Sequence, residues 1–186
     1  DTAPDLDNPA LLKNFFDAMQ ISIEQGDILA YHDRSDGGLL ATLVEMSFAG
    51  RVGISVDVFG LGEDPIAALF NEELGAVVQV HSDHAAEVLE QFTQANIQAY
   101  ALGTVNKADN IDISRDGDLL FSKTRADLQE HWSRTSYQIA SRRDNADCVK
   151  EEFDRIANAD AGLSAKLSYD PAEDISAPYI QKGAKP

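Results

Sequence analysis

Apolar residues recur at three- and four-residue intervals over Leu11, Leu12, Phe15, Phe16, Met19 and Ile23, which predicts a helix with one apolar stripe turned to a core. Asn8 suits its N-cap, Pro9 its first turn, and Gly26 a left-handed stop. Ile28-Leu29-Ala30 reads as a short buried strand. Leu39, Leu40, Leu43, Val44 and Met46 then return to helical spacing, from a start near Gly37 to a close at Gly50. Alternation predicts a strand over 52–59, with Ile54, Val56 and Val58 on one side and Ser55 and Asp57 on the other. A loop and a short helical turn through Ala68 lead to a strand over 76–80. A helix over 82–94 turns Ala85, Val88, Leu89 and Phe92 inward and stops at Asn96; a strand is expected over 97–105. Asp116-Gly117 between two short apolar runs is a hairpin turn. Thr124 with Asp127 opens a last helix in capping-box fashion, with a stripe of Leu128, His131, Trp132, Thr135 and Ile139.

Long-range and hairpin connections alternate in this order. The fold class it predicts is α+β, a mixed β-sheet covered by helices. Composition changes near Arg142-Arg143-Asp144-Asn145, so the expected organisation is a domain over 1–145 and a helical, then extended, connector over 146–186. A mostly polar helix is expected over 147–159. From Asp160 to Pro186 periodicity is lost among Gly, Ser, charges and the prolines Pro171, Pro178 and Pro186, and this stretch is expected to be mobile in the isolated chain.

Composition narrows the partners. The 186 residues carry a formal charge of −17, which argues against nucleic acid and anionic membranes. No apolar run approaches the ~20 residues of a membrane span. The start, Asp1-Thr2-Ala3-Pro4-Asp5, does not resemble a signal peptide. A single cysteine, Cys148, fits a reducing cytoplasm.

One stretch offers chemistry: Tyr31-His32-Asp33-Arg34-Ser35-Asp36-Gly37-Gly38, where a strand gives way to a helix. Backbone N–H groups at a helix start suit an anion, and glycines let a ligand approach. Asp33 and Ser35 add hard oxygens that suit Mg²⁺ and a phosphate oxygen. In so acidic a chain a polyphosphate here needs a divalent cation. The competing reading makes Asp33 or Ser35 a helix cap and Gly37-Gly38 a plain turn. Glu72 and Glu73, before the strand at 76–80, line a site or stand in a solvated turn. His32 and Asp33, adjacent on a strand, point to opposite faces and make a poor dyad. His81 and His84 read as surface histidines, His131 as half-buried packing and Cys148 as a free thiol. No catalytic residue is assigned within the chain.

The run His32-Asp33-Arg34-Ser35-Asp36-Gly37-Gly38-Leu39 resembles the phosphoribosylformylglycinamidine synthases in their long bacterial form. So do Leu43 to Gly50, Ala68-Leu69-Phe70-Asn71-Glu72-Glu73-Leu74-Gly75-Ala76 and Leu167-Ser168-Tyr169-Asp170-Pro171, with Asp174 and Ala177-Pro178-Tyr179-Ile180. The resemblance implies the C-terminal-type subdomain of the second synthase half plus a connector, with the fold of the aminoimidazole ribonucleotide synthetase superfamily. It implies an ATP- and glutamine-dependent ligase of purine biosynthesis that binds Mg²⁺ and ATP or ADP. Asp33 matches a Mg²⁺ ligand, Ser35 a nucleotide contact, and Asp36, Gly37 and Gly38 the turn shaping the pocket, which is a structural nucleotide site more than the place of turnover. The implied partners are other subdomains of the same chain, including a glutaminase domain, so the isolated chain is expected to be inactive. An interaction module of a related ATP-dependent synthetase, with no ligand at the Asp33 turn, is the alternative.

Overall fold

A computed structural model describes residues 5, 6, 8–159 and 162–180. The elements are helix α1 (Pro9–Gln25), strand β1 (Ile28–Asp33), α2 (Gly38–Gly50), β2 (Gly53–Asp57), α3 (Pro65–Phe70), β3 (Ala76–Val80), α4 (Ala85–Gln94), β4 (Gly103–Asn106), the hairpin β5 (Asn110–Arg115) and β6 (Asp118–Thr124), α5 (Arg125–Arg143) and α6 (Ala146–Asp154). The strands form two sheets. β1 and β3 pair antiparallel, and the other sheet runs β4-β2-β5-β6, mixed because β2 lies parallel to β5.

Each sheet has its own core. Leu39, Leu43 and Phe48 of α2 pack on Ile54 and Val56 of β2 and on Ile111 and Ile113 of β5, with Val58 and Leu69 completing the cluster. Val58, Ile111 and Ile113 are fully buried. The second core joins Ala18 and Met19 of α1 to Val88 and Phe92 of α4 against Ile28, Val78 and Val80. The β1–β3 pair thus reaches both clusters, since Val77 packs on the first and Val78 on the second.

Local signals hold where a local hydrogen bond enforces them. The Asn8 side chain accepts from the amides of Ala10 and Leu11, and Gly26 caps α1 at φ +80°. The Thr124 hydroxyl accepts from the Asp127 amide at 3.1 Å. Asp116 and Gly117, at φ +53° and +80°, make the hairpin turn. Asn96 stops α4 in the left-handed region.

Other expectations need correction. β1 extends past Ala30 to Asp33, because β3 keeps offering partners as far as Ala76. Of the strand expected over 97–105 only β4 forms. β2 supplies pairing from Gly53 to Val56; its next residue, Asp57, donates to the Leu102 carbonyl and the chain then turns away. The helix expected from 82 begins as a 3-10 turn, Ser82–His84, and the helix expected over 147–159 is α6. On α1 only Ala18, Met19 and Ser22 are buried; Leu11, Leu12, Ile23 and Phe16 (60% exposed) lie outside, because α4 covers only the strip through Ala18 and Ser22. On α5, Trp132, Thr135 and Ile139 are exposed, and so is His131, whose Nδ1 meets only the Asp127 carbonyl. Beyond Leu128 and Trp132 this helix leans on α6 instead, through Tyr137 stacked on Phe153 at 4.4 Å.

The expected boundary at Asn145 falls at the cap of α6. Arg125, 4% exposed, donates to both carboxylate oxygens of Asp109, to Gln129 and to the Ile156 carbonyl, and Arg51 donates to the carbonyls of Arg155 and Asn158. Of the tail expected to be mobile, Asp160, Ala161 and residues 181–186 lie outside the described residues. Residues 162–180 hold one 3-10 turn, Ala177–Tyr179, and expose Leu163, Ile175 and Tyr179. Among the described residues no helix is long and apolar enough to cross a membrane.

Asp57 joins β2 to the far hairpin. Its carboxylate accepts from the amides of Phe59, Asp116 and Gly117 and from the Ser114 hydroxyl, at 2.8–3.2 Å. These donors, the Gly117 amide foremost, hold its pKa down at about 2. A carboxyl with a depressed folded pKa contributes stability that is complete above its ordinary value and is lost as pH falls through the folded one. We therefore expect the melting-temperature gap between wild type and Asp57→Ala to be constant near neutrality and to shrink between about pH 4 and about pH 2. A gap unchanged down to about pH 2 would remove Asp57 from this role.

Candidate functional site

β1 brings Tyr31, His32 and Asp33 to the end of the small sheet, with alternate residues exposed. His32 turns inward. Its Nδ1 donates to the Asp33 carbonyl at 2.6 Å and its Nε2 meets the Glu45 carboxylate of α2 at 2.9 Å. Burial opposes its protonation, but the bonds to Asp33 and Glu45 and their charges outweigh it and raise its pKa. The other Glu45 oxygen accepts from the indole of Trp132 at 3.1 Å, and that ring lies 6.0 Å from Phe48. One carboxylate thus links α5, α2 and β1. The Asp33 side chain faces the other way, 66% exposed, with His32 Nδ1 3.9 Å away.

Past Asp33 the chain is gripped from the loop before β3. The Arg34 amide donates to the Gly75 carbonyl at 2.8 Å, and its guanidinium donates to the carbonyls of Glu73 (2.7 Å) and Leu74 (3.1 Å). Burial lowers the Arg34 pKa. Gly37 and Gly38 then take left-handed conformations, at φ +84° and +69°. A Cβ on Gly38 would lie 2.7 Å from the Phe70 carbonyl carbon and 2.8 Å from the oxygens of Leu69 and Asn71. Only glycine lets α2 start this close to the end of α3. Thr42 secures the start from inside, its hydroxyl within reach of the carbonyls of Asp33 (3.3 Å) and Gly38 (3.1 Å).

Two readings of this turn change. Neither Asp33 nor Ser35 caps α2: the N-cap is Gly37, without a side-chain cap, since the two left-handed glycines start the helix beyond their reach. The glycine amides are not free either. Gly38 donates to the Ser35 carbonyl at 2.9 Å and Gly37 to Glu72 Oε1 at 2.8 Å. The carboxylate of Asp33 and the hydroxyl of Ser35 are the polar groups that remain, with Asp36, Glu72 and Glu73 exposed around them.

The remaining candidates stay apart. Among the described residues no three His, Cys, Asp or Glu side chains are grouped so as to hold a metal. His81 and His84 are exposed with ring centres 6.3 Å apart, and His84 is bound to Asp27 at 2.6 Å. Cys148 is an exposed free thiol. The grip of Arg34 and the bond that Gly37 donates to Glu72 have no counterpart among the sequence expectations. The one signal for them was the polar middle of Phe70-Asn71-Glu72-Glu73-Leu74-Gly75, which said nothing of its partner.

Residues 1–116, which hold both the Asp33–Gly38 turn and the loop against it, match the family described as AIR synthase related protein, C-terminal domain. The chain belongs to that family. Solved structures agree on the fold of this AIR synthase-type domain. Thermotoga maritima PurL complexed with ATP aligns with a TM-score of 0.60 and 20% identity over 65% of this chain and 22% of that one. T. maritima PurL complexed with FGAR gives 0.58 and 20%, over 62% and 20%. Phosphoribosylformylglycinamidine synthase II from T. maritima gives 0.59 and 20%, over 63% and 21%. The chain therefore spans about a fifth of the length of these structures.

Proposed function

We propose that this AIR synthase-type domain belongs to a phosphoribosylformylglycinamidine synthase, an ATP- and glutamine-dependent ligase of purine biosynthesis, and forms one wall of a Mg²⁺–nucleotide pocket there. The observation that carries the reading is the Asp33 carboxylate, exposed beside a glycine turn whose neighbouring arginine is spent on backbone carbonyls. Family membership and the fold match to proteins described as complexed with ATP, ADP and FGAR support it.

The donor set fits Mg²⁺, a hard cation bound through one or two carboxylates and phosphate oxygens, which keeps several waters. Asp33 would hold it, and there it would screen polyphosphate charge from Asp33, Asp36, Glu72 and Glu73. Ser35 supplies a hydroxyl to the nucleotide, while Asp36, Gly37 and Gly38 set the shape of the turn. Arg34 fixes the approach of the loop and offers the phosphates nothing. The further metal ligands, the formylglycinamide site and the glutaminase that releases ammonia belong to other subdomains of the same enzyme. The chain works in the cytoplasm, and its pocket is architectural more than catalytic.

The test compares the parent enzyme with this chain alone. With formylglycinamide ribonucleotide, ATP, Mg²⁺ and glutamine, the parent forms the amidine; the chain alone forms none, even with ammonia. Amidine made by the chain alone, or none by the parent, overturns the proposal.

A further inference from the structure

We infer that Asp36 and Asp116 are sites of spontaneous aspartate isomerisation held in check by the carboxylates of Glu72 and Asp57. Asp36-Gly37 and Asp116-Gly117 are the two Asp-Gly pairs of the chain. Such pairs are prone to succinimide formation, because a following residue without a side chain leaves the approach to its nitrogen open. The Gly nitrogen attacks the protonated side-chain carboxyl of the preceding Asp. An N–Cγ bond forms, the Cγ–OH bond breaks, and the hydroxyl leaves with the amide proton as water. Water then opens the ring. Attack at Cγ restores aspartate; attack at the main-chain carbonyl carbon leaves the chain linked through Cγ, with a free α-carboxylate.

Both pairs are exposed and both glycines lie at positive φ. At both, the nitrogen that must attack is committed elsewhere. The Gly37 N–H donates to Glu72 Oε1 at 2.8 Å, from a residue 35 positions away. The Gly117 N–H donates to Asp57 Oδ2 at 3.0 Å, from 60 positions away. Ring closure requires each bond to break and the amide plane to turn. The two guards come from different segments, Glu72 from the loop before β3 and Asp57 from the end of β2, and of the two glycines each is bonded to its own alone.

The two turns do not tolerate the product equally. Isomerisation inserts one backbone carbon. In the β5–β6 turn a Cβ on Gly117 would meet nothing within 4 Å. At the α2 start Gly38 already lies against the backbone of Leu69 to Asn71, so an added carbon at Asp36 displaces the turn carrying Asp33 and Ser35. Glu72 thereby protects the candidate site without taking part in it, whatever that site binds.

The test ages the chain for weeks at neutral pH and body temperature and measures isoaspartate at each position by peptide mass spectrometry, with the denatured chain as reference. Wild type should isomerise at both positions more slowly than the denatured chain. Glu72→Ala should raise the rate at Asp36 about five-fold, the worth of one net hydrogen bond, and leave Asp116 unchanged. Glu72→Gln, which keeps an acceptor oxygen, should stay near wild type. Asp57→Ala should raise Asp116 and leave Asp36 unchanged. Wild-type rates equal to those of the denatured chain would overturn the inference. So would an unchanged rate at Asp36 in Glu72→Ala, or an equal rise at both positions in either alanine variant, which would report general unfolding instead of a lost guard.

Discussion

Gly38→Ala is expected to destabilise the domain by about 3 kcal/mol, combining the strain of a non-glycine residue at positive φ with overpacking. The new methyl meets three backbone atoms of residues 69–71 at 2.7–2.8 Å, and backbone cannot step aside as a side-chain tip does. Gly37→Ala is the control. It shares the positive φ but meets one atom, the Ala41 Cβ at 2.8 Å, where Gly38 meets three backbone atoms, so a smaller loss of about 2 kcal/mol is expected. The urea midpoint, converted with an unchanged m-value, reads both. A loss below about 1 kcal/mol at Gly38 would mean that α2 and α3 separate easily, and the close approach would then explain nothing.

Asp33→Asn in the parent enzyme should remove most of the stabilisation that Mg-ADP confers while leaving the nucleotide-free protein nearly unchanged. The second half follows from the geometry: the Asp33 carboxylate caps no helix, is 66% exposed, and has its nearest basic partner, His32 Nδ1, 3.9 Å away. The first half follows from the proposed role. Asparagine keeps the size and loses the charge that would hold the cation. A ligand bound only to the folded state stabilises by about 2.7 kcal/mol at about 100-fold excess over Kd, and that gain shrinks as Kd rises. Thermal unfolding with and without Mg-ADP, after retained nucleotide is stripped, decides the matter. An undiminished shift in the variant would leave the Asp33 turn without a ligand.

The legible parts of this fold are those that a few neighbouring residues decide. Asn8, Gly26, Asn96, Thr124 and Asp116-Gly117 each act through hydrogen bonds or backbone conformations of their own segment, so their spacing announces them. The alternation of Ile54 and Val56 is equally plain, because both neighbours of β2 exist to make it a strand; the strand expected over 52–59 stops at Asp57, and Val58 is buried at the head of a 3-10 turn, Phe59–Leu61. Burial on α1 and α5 was not legible. Phe16 and Trp132 sit in periodic stripes, yet a stripe says only that a face is apolar, and the covering element is a separate fact. The site divides in the same way. The strand-to-helix turn at Asp33–Gly38 could be placed from the sequence. Its fastening could not, because Arg34 and Gly37 find their partners 35 to 41 residues downstream, in a loop without periodicity.

Trp132 is the chain's one tryptophan. Its indole, 62% exposed, donates to the same carboxylate that His32 meets, and His32 donates in turn to the Asp33 carbonyl. Indole emission follows the polarity and hydrogen bonding of its surroundings, so the molecule carries a single-site optical reporter three hydrogen bonds from the backbone of its candidate ligand-binding residue. No label has to be introduced, and in the isolated chain no second fluorophore of that kind dilutes the signal.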